Sequence, residues 1–347
     1  MASPRSASSS APLGSTSDGT AADETGTIRT ATIGVGHFGR YHAQKYAADG
    51  GSELVAVCDA DQMRAEQVAA ELGTRAVSDY RALLGAVDAV SVVVPTRAHH
   101  EIAKAFLDEG VHVLVEKPIA STLDEADDLI QTARKRNVVL QVGHLERFSS
   151  ARQAMDAVVR RPLYIEANRI SPFRLRGTDV SIVLDLMIHD IDLVLSLVDA
   201  PLISVDAVGA PVLSALEDIA NCRIRFANGC VASITASRIS VKNERKMRIF
   251  QPNTYISVDF LTQKLLVARK TVGDDAIPNI SIDEKTLVEG DSLQRQIEAF
   301  LAAVRGRLPP VVSGEAGRLA LETAMRIRDA LEQHQSFVHR RLEAEAD

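Results

Sequence analysis

Apolar and polar positions follow two different periods in turn over residues 28–143, which indicates strands interleaved with helices. Short apolar runs predict buried strands at Ile28–Ile33, Glu53–Cys58, Ala89–Val94, Val111–Val115 and Val138–Val142. The amphipathic stretch after the first strand predicts a helix that ends near Ala48. Further helices are predicted over Asp61–Leu72, Tyr80–Leu84, Ala98–Glu109 and Leu123–Arg136. This order predicts a doubly wound α/β fold with a parallel sheet and right-handed crossovers.

The composition limits the classes of protein that fit the chain. Its 347 residues suit two domains, and 46% hydrophobic residues suit sizeable cores. A net charge of −7, only 4% aromatic residues and the lack of Trp argue against a nucleic-acid-binding surface. Cys58, Cys222 and Cys230 do not have the spacing of metal ligands. We therefore expect reduced cysteines, no metal site and a cytoplasmic protein.

Residues 1–27 differ from the rest of the chain. They are rich in Ser, Ala, Thr and Gly and contain no apolar run of the kind that a secretory signal needs. No stretch of the sequence approaches the ~20 apolar residues of a membrane span. We expect a disordered tail over 1–27 and a first domain over 28–148. We do not expect the protein to bind a membrane.

A glycine-rich turn follows the first predicted strand. The sequence there reads Gly34-Val35-Gly36-His37-Phe38-Gly39, and a helix follows. Gly34 would allow a tight turn, Gly36 would let the backbone approach a pyrophosphate, and Gly39 would let the helix pack closely on the strand. The helix N-terminus would offer unpaired N–H groups to the phosphates. The pattern predicts a Rossmann dinucleotide site, and the alternative is a glycine turn that binds nothing.

The second predicted strand ends at Asp59, about twenty residues beyond the last glycine of the turn. A carboxylate at this position is expected to accept hydrogen bonds from the adenosine ribose. It favours NAD over NADP, because a 2′-phosphate would meet a like charge. Arg64 lies within the next predicted helix, where we do not expect it to favour NADP.

The apolar run Val111–Val115 ends in Glu116-Lys117-Pro118. A buried strand that ends in a charged pair has no simple packing explanation. In open α/β sheets, ligands bind at the carboxyl ends of the strands. Lys117 is therefore a candidate to direct proton movement beside a hydride transfer, and Glu116 and Pro118 are expected to fix its approach.

A second group of chemically active residues lies far along the chain, on a helix predicted over Ile182–Leu197. Asp185 and His189 are four residues apart and share a face, whereas Asp190 is expected to point elsewhere. Asp192 returns near that face as a weaker third candidate. A surface ion pair or a core histidine is the alternative, but the upstream cofactor motif and Lys117 favour catalysis.

These segments together resemble the Gfo/Idh/MocA (glucose-fructose oxidoreductase / inositol dehydrogenase) family over about residues 28–331. The matching pieces are the glycine turn with His42, Val94-Pro95-Thr96 with His99, Gly110–Val113 leading into Glu116-Lys117-Pro118, Gly143–Phe148 and Asp185–Asp192. The resemblance implies an NAD-dependent oxidoreductase of CH–OH groups with Lys117, Asp185 and His189 as catalytic residues. The implied cofactor-binding residues are Gly34, Gly36, His37, Phe38, Gly39, Asp59, Pro95, Thr96, His99, Glu116 and Lys117.

The resemblance also implies a second, α+β domain with an open, mostly antiparallel sheet, and we assign it to residues 149–333. The sequence agrees, because Asn228-Gly229 marks a hairpin turn among short β-prone runs. The runs are Leu163–Ile170, Ile203–Val212, Ile219–Phe226, Cys230–Ser237, Lys246–Phe250, Tyr255–Phe260 and Lys264–Ala268. Helices are predicted at Leu293–Val304 and at Ala316–Leu331, with the last packing on the first domain and a flexible C-terminus over 334–347. In the family another subunit usually covers such a sheet, so we expect a homodimer or homotetramer.

The implied reaction moves a hydride from a secondary alcohol to the nicotinamide. His189 would take the hydroxyl proton, Lys117 would hydrogen-bond the same oxygen, and Asp185 would orient the substrate and tune His189. Either Lys117 or His189 serves as the formal base, and the sequence leaves both open.

The chain has Asp179–Leu184 where many relatives carry a glycine-rich stretch, which resembles the subgroup that acts on nucleotide-linked amino sugars. We therefore expect a UDP-N-acetylglucosamine-type substrate oxidised at C3, for lipopolysaccharide biosynthesis. The expected substrate-binding residues are Lys117, Arg147, Arg169, Asp185, His189 and Arg238, with Arg174, Arg176 and Arg245 as further basic residues. The alternatives are a dehydrogenase of a free cyclitol or aldose and, from another class, a non-catalytic NAD-binding sensor.

Overall fold

The computed structural model describes residues 26–173, 180–272, 278–288 and 290–346. The first part of the chain forms a six-stranded, fully parallel sheet in the order β3-β2-β1-β4-β5-β6. Its strands are β1 (Ile28–Ile33), β2 (Ser52–Cys58), β3 (Arg75–Val77), β4 (Ala89–Val92), β5 (His112–Glu116) and β6 (Leu140–Gly143). The strand order reverses between β1 and β4, and the crevice at such a reversal is where ligands bind in these folds.

Four helices connect these strands: α1 (His37–Ala48), α2 (Gln62–Leu72), α3 (His99–Asp108) and α4 (Leu123–Arg136). The central strands are apolar on both faces because helices cover both sides, so β4 and most of β5 are buried along their length. Local signals set the helix ends. Thr122 and Glu125 form a capping box at the start of α4, and Asn137 ends it in the left-handed conformation.

A second sheet of eight strands follows in the order β14-β13-β12-β11-β7-β10-β9-β8. Neighbours are antiparallel except for β7 and β10, which are parallel. The strands are β7 (Tyr164–Ile170), β8 (Leu202–Ala210), β9 (Ile219–Phe226), β10 (Val231–Ser237), β11 (Glu244–Gln251), β12 (Thr254–Asp259), β13 (Lys264–Val272) and β14 (Pro278–Thr286). Alternate residues such as Ile165, Ala167, Met247 and Ile249 are buried on one face.

The remaining helices connect the two sheets. They are α5 (Ser150–Val158), α6 (Ile188–Leu197), α7 (Ser292–Val304) and α8 (Gly314–Ala346). Helix α6 packs on the inner face of the second sheet, and α8 contributes Leu321 to the first core and Ala324 and Ile327 to the second. Helix α7 inserts Phe300 beside Tyr46 of α1. The C-terminal helices therefore fix the two sheets relative to each other.

The predicted fold class is confirmed: a parallel Rossmann sheet is joined to a mostly antiparallel sheet with helices. Three elements were not predicted, namely the short edge strand β3, helix α5 and the edge strand β14. Edge strands carry weak patterns because only one neighbour constrains them; on β14, Ile280 and Ile282 are even exposed.

The tail over 1–25 and the basic residues Arg174 and Arg176 lie outside the described residues. Residues 334–346, for which a flexible terminus is predicted, continue α8. Among the helices that the structure describes, none is long and apolar enough to cross a membrane.

Candidate active site

The glycine turn joins β1 to α1 at the point where the strand order reverses. Gly34 has a φ of +85°, and a Cβ there would overlap the carbonyl oxygen of Val93. A Cβ on Gly39 would overlap the carbonyl oxygen of Gly34. Gly36 caps α1, and no atom lies within 4 Å of the position of its missing Cβ. The turn therefore needs Gly34 and Gly39 for its own shape, whereas Gly36 keeps its surroundings open to a ligand.

Asp59 lies at the end of β2 beside this turn and is 8% exposed. One carboxylate oxygen accepts the Val35 N–H at 2.9 Å, and the other accepts the Asp61 N–H at 2.9 Å. Arg64 also reaches it, with Nη1 3.2 Å from Oδ1, which the sequence did not predict. A cleft of about 500 Å³ lies against Gly34, Gly36, Asp59, Arg64 and Pro95. This cleft is suited in position and size to the adenosine half of a dinucleotide.

The residues after β4 form a second wall near the cofactor cleft. Pro95 and Thr96 begin a short 3-10 turn, and α3 starts at His99. The His99 ring is 1% exposed and lies between two carbonyl oxygens, 2.8 Å from that of Pro118 and 2.9 Å from that of Val94. His99 therefore braces the ends of two strands, and its predicted contact with the cofactor stays a proposal.

Three other predicted cofactor residues lie in two different environments, two at the exposed start of α1 and one at the end of β5. His37 and Phe38 are exposed, with Phe38 at 53%, and their rings meet edge to face. Glu116, at the end of β5, faces the protein instead: its carboxylate contacts His42 and the Lys117 N–H. Of the predicted cofactor residues, Gly34, Gly36, Asp59 and Pro95 line the cleft, whereas Glu116 contacts His42 within the protein.

Lys117 extends from the first domain to the second. Its ammonium donates to the backbone carbonyl oxygen of Asp185 at 3.0 Å. Burial lowers the pKa of Lys117, and the charge of Arg169 acts in the same direction. The negative charges of Asp185 and Glu116 oppose this shift. The structure thus brings Lys117 to the segment that carries Asp185 and His189.

The predicted helix over Ile182–Leu197 forms in two parts. Val183–Met187 is a π-helical turn, and the α-helix begins at Ile188. Such bulges are frequent at functional sites. Here Asp185 contacts Lys117 through its backbone, although the sequence predicted a role for its carboxylate.

His189 is held as a neutral imidazole. Burial places its pKa well below the usual histidine value, and the positive charges of Lys117, Arg169 and Arg245 act in the same direction. Its Nδ1 is buried without a hydrogen-bond partner among the described residues. A neutral ring beside a lysine is able to accept a proton, which is what a general base requires.

Arg147 and Arg169, two of the three arginines predicted to bind substrate, are paired with carboxylates. Arg147 binds Asp192 through Nε at 2.8 Å, and Arg169 binds Asp190 through Nε at 2.6 Å. Arg245 contacts Glu146, and Arg169 is 3.6 Å from the same carboxylate. Arg238 is 5% exposed and donates Nη2 to the Val180 carbonyl at 2.9 Å. The site is therefore a charge network in which Asp190 and Asp192 hold arginines.

Sequence reasoning did not single out His144, which follows β6 directly. It is 1% exposed, and both of its ring nitrogens lack hydrogen-bond partners within the described ranges. Its Nδ1 lies 3.9 Å from Asp192, and burial lowers its pKa. The signal in the sequence was its position at the carboxyl end of a parallel strand, next to Arg147 in the same motif.

The fold and the site define a class of protein: a dinucleotide-binding oxidoreductase in which the lysine after β5 contacts the segment that carries a neutral histidine. The comparisons with known families agree. Residues 28–144 match the model of an oxidoreductase family with an NAD-binding Rossmann fold, and residues 155–255 match the Gfo/Idh/MocA C-terminal domain. The chain belongs to the Gfo/Idh/MocA family, so the predictions of an oxidoreductase of CH–OH groups and of NAD as its cofactor are confirmed.

Individual relatives cover more than four fifths of the chain. It is 42% identical to UDP-N-acetylglucosamine 3-dehydrogenase of Acidithiobacillus ferrooxidans, over 84% of this chain and 93% of that protein. A crystal form of that enzyme has a TM-score of 0.84 and covers 89% of this chain and 98% of its own. The myo-inositol 2-dehydrogenase of Thermotoga maritima is 27% identical over 82% of this chain and 90% of its own length. Levoglucosan dehydrogenase in complex with NADH shares the fold, with a TM-score of 0.77 at 21% identity over 89% of this chain and 98% of its own.

The open space at Gly36 generates a test of the cofactor site. Alanine fits Gly36 without a clash in the protein, since its φ is −63° and no atom lies within 4 Å. The added methyl group would hinder the pyrophosphate, so we expect Gly36→Ala to raise the Kd for NADH by ~10-fold or more, about 1.4 kcal/mol. The measurement is a titration of NADH fluorescence. Gly50→Ala, which is equally free of clashes, is the control, and equal affinity in both variants would contradict the site.

Proposed function

We propose that the protein oxidises the C3 hydroxyl of UDP-N-acetylglucosamine, or of a closely related UDP-amino sugar, to a 3-keto sugar with NAD. The observation that carries the proposal is the contact of Lys117 with the Asp185 carbonyl, which joins the lysine to the segment bearing His189. The 42% identity to a UDP-N-acetylglucosamine 3-dehydrogenase supports the substrate class. A free cyclitol is supported less well, since the myo-inositol enzyme is 27% identical.

The residues divide the work of this reaction by their charge states. NAD supplies the acceptor for the hydride that leaves the alcohol carbon. His189, held neutral by burial, takes the hydroxyl proton. Lys117 donates a hydrogen bond to the same oxygen and stabilises the negative charge that develops there. We assign the formal base to His189. A neutral ring has a nitrogen lone pair that accepts a proton directly, whereas a protonated ammonium group has no lone pair to accept one.

The arginine–carboxylate network supports an anionic substrate. Arg147 and Arg169 both bind their carboxylates through the Nε and Nη2 edge, which directs Nη1 of each guanidinium away from that contact. A planar guanidinium has five donors, so one edge remains suited to a diphosphate. Arg238 completes the proposed substrate-binding set. A 3-keto amino sugar is a substrate for transamination, which fits lipopolysaccharide biosynthesis in the cytoplasm.

The charge state of His189 predicts a pH profile. A base must be deprotonated to act, and the pKa of His189 lies well below 6.5. We therefore expect kcat/KM to persist as the pH falls through 6.5 and to be lost only at lower pH, which steady-state kinetics measures. His100→Asn is the control, because it changes a histidine that pairs with Asp128 on the first domain. It should leave the loss of kcat/KM at low pH unchanged. A limb above pH 6.5 would argue against His189 as the base.

The proposed reaction is tested by NADH formation. UDP-N-acetylglucosamine should drive NADH absorbance, and Lys117→Met should lower kcat by roughly 100- to 1,000-fold while NADH still binds. Lys104→Met is the matched control, because Lys104 pairs with Asp108 and Asp128 away from the site. Turnover of free inositols or aldoses without turnover of UDP-sugars would support the alternative function.

We also propose that two copies associate through the outer face of the second sheet. A row of directly paired residues crosses five strands of that face: Tyr164, Phe250, Tyr255, Ala268 and Ile282. The rings of the first three are in contact, with centroids 5.6 and 5.1 Å apart. Phe250 is 38% exposed and Ile282 65% exposed, whereas the opposite face is covered by α6 and α8. An apolar row on an open sheet is suited to a second copy of the chain.

A charge placed in this row should separate the copies. We expect the double variant Phe250→Glu/Ile282→Glu to shift the mass from light scattering toward that of one chain, because burying two carboxylates opposes association. Met63→Glu is the control, since Met63 is 80% exposed on α2 in the first domain. An unchanged mass in the double variant would exclude this face as the interface.

A further inference from the structure

A chain of buried polar side chains connects helix α1 to Glu116 beneath the glycine turn. Tyr46, Ser91 and His42 are each 0% exposed. The Tyr46 hydroxyl lies 2.8 Å from Ser91 Oγ, and Ser91 Oγ lies 3.1 Å from His42 Nδ1. His42 Nε2 lies 3.3 Å from Glu116 Oε1. Three fully buried polar groups, which lead to a carboxylate with 20% of its side chain exposed, are costly in an apolar core unless they serve one another.

The chemistry of the members gives the chain a direction. An ionised Glu116 accepts hydrogen bonds and donates none, so the proton of His42 must be on Nε2. His42 Nδ1 then accepts from the Ser91 hydroxyl, which in turn accepts from Tyr46. Burial raises the pKa of Tyr46, which keeps the hydroxyl protonated as the first donor. The Tyr46 and Ser91 donors therefore point toward His42, whose Nε2 contacts Glu116 Oε1 at 3.3 Å without the alignment of a full hydrogen bond.

Glu116 is fixed between this chain and the catalytic lysine. Its Oε2 accepts the backbone N–H of Lys117 at 3.3 Å. A Cβ on Gly143 of the neighbouring strand would lie 2.6 Å from Oε1, so only glycine leaves room for the carboxylate there. Burial opposes the charge of Glu116, but His42 and Lys117 outweigh burial and hold its pKa below the ordinary value.

We propose that His42 is a positioning residue for Lys117: it acts through Glu116, keeping that carboxylate ionised and aimed so that Lys117 stays protonated. The inference rests on the proposed function only in the use of Lys117 as a hydrogen-bond donor. Burial lowers the pKa of Lys117, and the adjacent Glu116 charge opposes that shift. His42 lies beneath the pyrophosphate turn, so this chain also joins the cofactor-binding helix to the catalytic residue.

Other ionisable groups face the same pair from every neighbouring element and stay unchanged in the test. Those that interact with Glu116 or Lys117 are His99 on α3, His144 after β6, Asp185 in the π-helical turn, His189 on α6 and Arg169 on β7. The two His42 variants alter the contact from α1 only, so a shift in the labelling of Lys117 in either of them is attributable to that contact.

Two variants of His42 separate position from packing. The amide of Gln reaches about as far as Nε2, whereas the amide of Asn reaches only about as far as Nδ1. His42→Gln therefore preserves the contact with Glu116, and His42→Asn preserves the contact with Ser91. The probe is acetic anhydride labelling of Lys117 in the full chain across pH, read by mass spectrometry, which requires no substrate.

We expect the pH of half-maximal Lys117 labelling to fall by roughly one unit in His42→Asn and to stay near that of the parent protein in His42→Gln. The high-pH limb of kcat should move in the same direction, with kcat lower by ~10-fold in His42→Asn. Glu116→Gln, which keeps the shape of the side chain without its charge, should reproduce the shift even if His42→Asn is too unstable to measure.

Equal labelling profiles in His42→Asn, Glu116→Gln and the parent protein would overturn the proposal, as would equal shifts in both His42 variants. The labelling result also separates this inference from the proposed function. A labelling shift with no turnover of UDP-sugars would keep the role of His42 and reject the substrate. Turnover of UDP-sugars with no labelling shift would keep the substrate and reject the role of His42.

Discussion

The Lys117 ammonium lies at the end of β5 and donates to the Asp185 carbonyl in the π-helical turn of the second domain. This is the contact on which the site depends, because it joins the cofactor domain to the segment that carries His189. Its strength comes from partial burial, where a charged donor gains more from one oriented carbonyl than it would in water. The C-terminal helices α7 and α8 hold the two sheets in the arrangement that allows it.

Burial acts in the same way on the two principal groups, but the neighbouring charges do not. Burial disfavours the charged form of each, which lowers the pKa of His189 and of Lys117. Nearby carboxylates oppose this only at Lys117, where Glu116 and Asp185 raise the pKa, while the charges that act on His189 are positive. One site thereby holds a neutral ring beside a cation, and such a difference between neighbouring groups is how acid and base roles are divided.

The sequence predicted the parts of the site that depend on local geometry. The glycine turn was evident because Gly34 and Gly39 have no room for a side chain, and only glycine meets such a demand. Lys117 was evident because a charge at the end of a buried strand has few other uses. His144 and the buried polar residues that connect α1 to Glu116 were not predicted as functional, because their partners are distant in sequence. The separation is 45 residues from Tyr46 to Ser91, 74 from His42 to Glu116, and 48 from His144 to Asp192.

The sequence by itself determined most of the strands and helices, the glycine turn and the candidates Lys117 and His189, because periodicity and backbone constraints act over short distances along the chain. Only the tertiary structure decided what each charge faces. It placed Arg64 beside Asp59, paired Arg147 and Arg169 with carboxylates, and turned the Asp185 carbonyl toward Lys117. Electrostatic partners are set by distances in space, and a single sequence does not contain those distances.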